Sequence, residues 1–494
     1  MIERQSKEKS VKFLKTNIAT AVIIALAVTG SVMAEEAPTE KNDTYVLQAD
    51  FIAQAEGNVI IINQEVPEGE SYGNYTYITQ DGDLNFALVN IVGDANEVAI
   101  TQFGDSNIAV ATVTGDYNLV DVLQDGIGAI SDTTIVGSAN EVTIQQIGGP
   151  SLFDIENRSI NVIQGDSNFV NIFSSDSGGH WANNNIVGFG NSINVQQYDE
   201  WNEAYVNLID GDFNEVQFFQ DGFYNIFAVT EVTGNDNLID ISASGDYSRV
   251  SFAVVGSAND ISIQQNGNDN AVNFGIFEGD DETVFVEQYG DGNSANVDTL
   301  FSEFNNYYIF QDGVGNTGYT GSLGVFNNLA VVQAGDFNDA STVNFNGSVN
   351  NVEIAQIGNE NLGLAEAVVE AGEAANGNAV RLLQIGNQND GAITLATSGE
   401  SNNNIIMAEQ FGDLNLLDLV VNGNDNIVDI IQEGSGNWIT ADDGGPFIMT
   451  ANSTAFVVVQ YGNENLVTGS ISGNGGEISI SQTGDYNEVV VNQM

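Results

Sequence analysis

The sequence predicts an all-β fold, a two-sheet parallel β-solenoid of about 18 stacked turns with roughly 22 residues in each turn. Three observations predict it: glycine recurs at a fixed interval, apolar residues alternate with polar ones, and glutamine marks every second interval. The first glycines are spaced by 11 residues six times in succession, at Gly82, Gly93, Gly104, Gly115, Gly126, Gly137 and Gly148. At about 4.8 Å for each turn, the body would be roughly 85 Å long.

Each 11-residue unit has the pattern of one short strand. One unit reads Asn96, Val98, Ile100, Gln102 and Gly104. Every second residue is therefore apolar or carries an amide, and a period of two indicates a β-strand with one buried face. In the next unit Val113 takes the place of the glutamine, so two units form one repeat.

The Gly-x-x-Asn segments between strands are typical of tight turns. Glycine accepts a positive φ, and asparagine tolerates left-handed geometry or bonds its own backbone. A strand, an arc and a second strand cannot bury a face alone, but stacked repeats can. We therefore expect each turn to add one strand to each of two parallel sheets that face one another across a thin core.

Stacking also explains the inward amides. Asn96 and Asn118 lie one repeat apart, as do Gln102 and Gln124, so identical amides would stack and bond along a column. The glutamine series comprises Gln80, Gln102, Gln124, Gln146, Gln265, Gln288, Gln311, Gln333, Gln356, Gln384, Gln410, Gln432, Gln460 and Gln482. Weaker turns are predicted at Gln164, Gln197 and Ala243. We interpret these amides as solenoid core.

Four segments break the 11-residue step, and we expect them to be loops that bulge from the turns. They are Pro67–Gly73, Gly149–Arg158, Ser174–Asn184 and Asp442–Ser453.

The N-terminus predicts export. Basic residues occupy the first 17 positions, an apolar run covers residues 18–28, and small residues lead to Ala34. This is the pattern of a secretory signal peptide, and the apolar run is shorter than the roughly 20 residues of a membrane span. We expect residues 1–34 to be removed, residues 35–49 to form an acidic leader, and residues 50–494 to form the solenoid. The mature form would then have no membrane span.

Composition limits the partners. The signal peptide holds five of nine basic and two of 68 acidic residues, which leaves four basic and 66 acidic residues and a net charge of −62. Such a charge excludes nucleic acid and anionic membrane surfaces as partners. The chain has no cysteine, so an exported form would be held together without disulfides.

The repeat resembles that of the curlins, the subunits of curli-type functional amyloid. The motif Gln-x-Gly-x-x-Asn recurs, for example in residues 102–107 and 410–415. Two departures are that the leading serine of the curlin pattern is mostly asparagine here, and its second glutamine is usually aliphatic, as at Ile91. The chain is also several times longer than the usual five-repeat curlin.

The resemblance implies an extracellular structural protein, a curlin-like subunit of a bacterial surface fibre that supports cell adhesion and the biofilm matrix. It also implies self-association into fibres, a nucleator subunit and an outer-membrane export pore as partners. The last residues, Asn487, Val489, Val491 and Gln493, fill the first four repeat positions. We expect this end to add a further subunit, because a bare strand edge templates pairing.

An enzyme is not expected. A secreted β-helix that cleaves acidic polysaccharides would need clustered basic side chains, but the mature chain keeps only Lys41, Arg158, Arg249, Arg381 and one histidine. That histidine, His180, has no second polar partner in its motif. We assign no catalytic, cofactor-binding or metal-binding residue and no cofactor.

A calcium-stabilised secreted β-solenoid adhesin that does not polymerise is the alternative. Turn residues such as Asp83 and Asp105 place carboxylates one repeat apart, and a divalent cation would relieve their repulsion. The Gly-Gly-x-Gly-x-Asp calcium repeat is absent, which favours aspartates that merely suit the turn.

The signal-peptide prediction is tested on the secreted protein. We expect N-terminal sequencing to begin at Glu35, because the small-residue exit ends at Ala34. A secreted form that begins before Ser31 would contradict it.

Overall fold

The computed structural model describes residues 43–49, 57–66, 72–148, 156–175, 178–299, 302–344, 347–367, 375–395 and 399–493. The expected signal peptide lies outside these residues, as do residues 67–71 and 149–155 of two expected loops. All regular structure in the described residues is β-strand, and the predicted two-sheet parallel β-solenoid is confirmed.

Forty strands, numbered in chain order, form two parallel sheets, and the chain passes from one sheet to the other after almost every strand. Sheet A contains β1 (Asp43–Ala49), β3 (Tyr75–Asp81), β5 (Glu97–Asp105), β7 (Leu119–Ile127), β9 (Glu141–Gly148), β11 (Phe169–Ser174), β13 (Ser192–Tyr198), β15 (Glu215–Asp221), β17 (Leu238–Ser244), β19 (Asp260–Asn266), β21 (Thr283–Tyr289), β24 (Asn306–Asp312), β26 (Asn328–Ala334), β28 (Asn351–Ile357), β30 (Ala379–Ile385), β32 (Ile405–Phe411), β34 (Ile427–Glu433), β37 (Ala455–Tyr461) and β39 (Glu477–Thr483).

Sheet B contains β2 (Val59–Glu65), β4 (Phe86–Val92), β6 (Ile108–Thr114), β8 (Ile130–Val136), β10 (Arg158–Gln164), β12 (Trp181–Val187), β14 (Glu203–Asp210), β16 (Ile226–Thr233), β18 (Arg249–Val255), β20 (Ala271–Asp280), β22 (Ser294–Thr299), β25 (Thr317–Ser322), β27 (Asp339–Asn344), β29 (Leu362–Ala367), β31 (Asp390–Leu395), β33 (Leu416–Asn422), β35 (Trp438–Thr440), β36 (Phe447–Thr450), β38 (Leu466–Ser472) and β40 (Glu488–Gln493). The two-residue strand β23 (Ser302–Glu303) pairs with the end of β20.

Register in both sheets follows the repeat. From β3 to β5 the paired residues lie 22 apart, as in Gln80 with Gln102, and from β13 to β15 they lie 23 apart. Between β28 and β30 the separation grows to 28, because a longer connection is accommodated outside the strands. The predicted repeat length therefore holds for the strands, while the arcs and connections absorb the variation.

The core is a thin apolar layer between the sheets. Val98 and Ile100 on β5 and Ala87 and Val89 on β4 are all fully buried, and their neighbours in sequence point outward. This alternation is the burial pattern that a period of two requires. The predicted buried face is therefore the observed one.

Glycine is required in the arcs by close approach as well as by conformation. Gly115 has a φ of 124°, and a Cβ at this residue would lie 2.0 Å from the carbonyl oxygen of Gly137 in the next turn. The residue before each arc asparagine, such as Tyr117 with a φ of 59°, adopts the left-handed conformation. The asparagine was expected to tolerate that conformation, but it contributes its side chain instead.

Two expected loops are partly wrong. Within Ser174–Asn184, β12 begins at Trp181, and within Asp442–Ser453 the strand β36 is formed. β35 and β36 together occupy one level of sheet B, since both pair with β33 and β38. The segment that was expected to be an acidic leader contributes β1, which pairs in parallel with β3.

Candidate functional site

Three columns of polar side chains run along the solenoid inside its two edges. The first, the glutamine column, lies at the ends of the sheet A strands. The others are asparagine columns, one before the sheet A strands and one before the sheet B strands. Because the strands are in register, equivalent amides from successive turns stack directly on one another.

The glutamine column joins turns and sheets together. The Nε2 of Gln102 donates to the Oε1 of Gln124 at 2.8 Å and to the carbonyl oxygen of Phe86 at 3.1 Å. Its own Oε1 accepts from the Nε2 of Gln80 at 2.8 Å. The side chain is fully buried, so each of these bonds replaces water that the amide has lost.

The asparagine columns bond in the opposite direction. Both the backbone N–H and the Nδ2 of Asn118 donate to the Oδ1 of Asn96, at 3.0 and 2.9 Å. The Nδ2 also donates to the carbonyl oxygen of Gly137 at 2.8 Å. One side chain thus holds the turn before it and the arc after it. This role explains why asparagine follows the arc glycine so regularly.

Acidic arc residues form a further repeated contact outside the columns. The Oδ1 of Asp105 accepts from the backbone N–H of Asp83 at 2.8 Å, and that of Asp116 accepts in the same way from Asp94. These carboxylates therefore satisfy arc amides of the preceding turn. Among the described residues, no group of three or more metal-ligating side chains is placed to hold a metal ion.

Comparison with known protein families identifies the repeat. Residues 73–104 and 93–126 match the model of the curlin associated repeat. The chain carries curlin associated repeats. The two matches overlap and together cover β3 to β6 with the start of β7. No curated protein is significantly similar to the chain. Within the residues that the structure describes, no helix is long and apolar enough to cross a membrane.

The curlin repeats continue through the chain with local replacements in the glutamine column. The structure adds Gln220, which the sequence series missed, and it includes Gln197 and Ala243. The turn assigned to Gln164 is wrong, since Gln164 is exposed on β10 in sheet B and Ser174 occupies the column position. Ser174 keeps the contact through a bond from its Oγ to the Oε1 of Gln197 at 3.2 Å.

Alanine breaks the glutamine column at one level. Ala243 is buried in register between Gln220 and Gln265. The methyl side chain cannot donate, and the Oε1 of Gln265 is buried without a hydrogen-bond partner. This level is therefore a natural variant of the column in which one link is missing.

Two ionisable residues occupy asparagine positions. His180 is buried, its backbone N–H donates to the Oδ1 of Asn157 at 3.2 Å, and its Nε2 lies 3.0 Å from the carbonyl oxygen of Ser175. The buried carboxylate of Glu282 accepts from the backbone N–H and the Nδ2 of Asn305, both at 3.1 Å. Both side chains therefore take part in the stacking contacts of the curlin repeats.

We expect the inward Gln102 to stabilise the stack far more than the outward Thr101 beside it. Gln102→Leu removes the acceptor of Gln80 and the donor to Gln124, which should cost about 1–3 kcal/mol for each buried group left unsatisfied. Thr101→Ala should change the free energy of unfolding by less than about 0.5 kcal/mol. Denaturant unfolding of both variants checks this, and equal effects would mean that the column contributes nothing special.

Proposed function

We propose that this protein is an extracellular structural protein, a curlin-like subunit of an amyloid surface fibre that supports cell adhesion and the biofilm matrix. The observation that carries the proposal is that the solenoid presents its stacking surface at both described ends. The fibre would grow when one subunit places its first turn on the last turn of another. By the same resemblance, a nucleator subunit and an outer-membrane export pore would be its partners.

At the C-terminal end the core is only partly covered. Ile478 on β39 and Val489 and Val491 on β40 pack against the core but remain partly exposed, whereas the matching residues of interior strands are buried. Exposed apolar surface and unpaired strand edges favour the addition of another strand. This end therefore offers both an apolar and a hydrogen-bonding surface.

At the N-terminal end β2 offers the complementary surface. Ile60 and Ile62 point toward the core and are partly buried, and the outward residues of β2 are exposed. Because every strand of the solenoid is parallel to its neighbour, a copy placed on the C-terminal end would meet it with the same strand direction. The joint would repeat an interior step.

The amide columns give the joint a direction. Interior glutamines donate toward higher residue numbers, and interior asparagines accept from the turn that follows. Asn487 holds the asparagine position in the last described turn of sheet B, where its Nδ2 donates to the Oδ1 of Asn465 at 2.8 Å. A following subunit would supply backbone N–H groups to Asn487, so head-to-tail addition continues the column.

Charge opposes assembly. Like charges stack on the outer faces, and burial followed by the nearby Glu97 raises the pKa of Asp121 above its ordinary value. For Asp240, burial and the carboxylates of Glu215 and Asp260 act in the same direction. A raised pKa means that the fold disfavours the charged form, so stability falls as pH rises through it. Salt weakens the repulsion between exposed carboxylates, and fibres should grow faster as ionic strength rises.

An enzymatic activity is not part of the proposal. The basic side chains described are few, and Arg381 lies 3.8 Å from both Glu353 and Glu409 on the surface, which is a structural ion-pair arrangement. His180 is committed to an asparagine position. The proposal is therefore of a structural role alone.

End-to-end growth is tested by blocking the C-terminal end of the mature protein. A charged, proline-containing segment appended after Met494 should stop assembly, because it removes a strand edge that can pair. An equally long Gly/Ser extension is the control and should slow assembly only slightly. Light scattering in high salt follows growth.

Two outcomes would contradict the proposal. Monomeric capped and uncapped proteins in high salt would indicate a solitary adhesin, and added calcium would then test the calcium-stabilised form. Equal growth of the capped and control proteins would mean that assembly does not use this end.

A further inference from the structure

Aromatic side chains form a contiguous row at one edge of the solenoid. Trp201, Phe223, Tyr224 and Tyr247 lie in the arcs that lead from sheet A to sheet B on three successive turns. Their ring centroids are separated by 5.5–6.4 Å, and each ring contacts at least two others of the four. We call these four residues the aromatic edge.

The fold does not require aromatic residues at these positions. Trp201, Tyr224 and Tyr247 have φ values of 64°, 59° and 60°, a left-handed conformation that is unfavourable for bulky side chains. Other turns place glycine at the equivalent position, as at Gly292 and Gly315, where the conformation is accepted without cost. The rings therefore destabilise their arcs, which points to a role on the surface.

A cation already binds an aromatic face beside the aromatic edge. The guanidinium carbon of Arg158 lies 5.2 Å from the centroid of the Trp181 ring, and Trp181 in turn packs against Tyr205 at 5.9 Å. Both rings are on the outer face of sheet B at the start of its strands. A positive group over an indole face is attracted by the ring quadrupole.

The surroundings of the aromatic edge are acidic. No lysine or arginine occurs between Arg158 and Arg249 in the sequence, whereas Glu200, Glu203 and Asp221 adjoin the aromatic arcs. The ion pairs found in the described residues all involve Arg381, so none neutralises these three carboxylates. The phenol of Tyr205 donates to Glu203 at 2.9 Å, and burial together with Glu203 raises the pKa of Tyr205 further, so the ring stays neutral.

We infer that the aromatic edge and its carboxylates bind a cationic polymer of amino sugars. Aromatic faces stack on the apolar C–H faces of sugar rings, and carboxylates attract ammonium groups in a way that complements the charge of the chain. The rings recur once per turn at about 4.8 Å, a spacing close to the length of one sugar ring. An extended peptide presents side chains on one face only about every 6.6–6.8 Å, so it matches this row less well.

The test compares three probes on the full mature protein in physiological salt. The probes are a hexamer of β-1,4-linked glucosamine, its fully N-acetylated and uncharged form, and hexalysine. Trp201→Gly, Tyr224→Gly and Tyr247→Gly are combined in one variant, because glycine fits the left-handed positions and the fold should be kept. Phe337→Gly is the matched control, since Phe337 is an exposed aromatic residue with a φ of 57° at the same edge on a distant turn.

Titration calorimetry is expected to show binding of the glucosamine hexamer that weakens about tenfold or more in the triple variant and is unchanged in the control. Three results would overturn the inference. They are equal binding by the triple variant and the wild type, equal binding of the N-acetylated hexamer, and equal or tighter binding of hexalysine with the same loss in the triple variant. The last result would identify a basic peptide as the partner.

Discussion

The structure depends on one interaction, the hydrogen bond between equivalent buried amides of successive turns. Gln102 shows its full form, with one bond to the turn on each side and one to the backbone of the other sheet. Parallel register places every such amide over its counterpart, and the bonds in turn fix the register. A one-residue slip would move the amides to the outer face and apolar side chains to the solvent. The thin apolar layer alone could not specify this register so strongly.

The same interaction explains how far sequence reasoning reached. The Gln80 to Gln146 series has a constant spacing of 22 residues, so the fold and its polar columns could be predicted there. Beyond it, β14 and β16 each carry an extra residue opposite a register shift, and the spacing between turns becomes 23. This shift hid Gln220 and gave Gln164 a position that belongs to Ser174. His180 was missed as a column residue because its motif resembles no repeat, and only the pairing of β10 with β12 reveals it.

The proposed function follows from incomplete use of this interaction at the ends. Interior turns spend their amides and apolar side chains on both neighbours, while β2 and β40 can use only one side within the described chain. A second copy is the surface that fits best, since it presents the same strands in the same register. The aromatic edge is different in kind: it interrupts no column, lies outside the core and carries residues that the arcs would be more stable without. Assembly and surface binding thus use separate parts of each turn.

The break at Ala243 allows the most direct test of the central claim, that amide bonds along the columns hold the stack together. Ala243→Gln places a donor beside the unpartnered Oε1 of Gln265 and should raise the free energy of unfolding by about 1 kcal/mol or more. Ala243→Leu adds a side chain of similar length without the amide and is the control. Denaturant unfolding should show glutamine to be more stable than both leucine and alanine. If glutamine is no better than leucine, packing rather than amide bonding holds the turns together and the account is wrong.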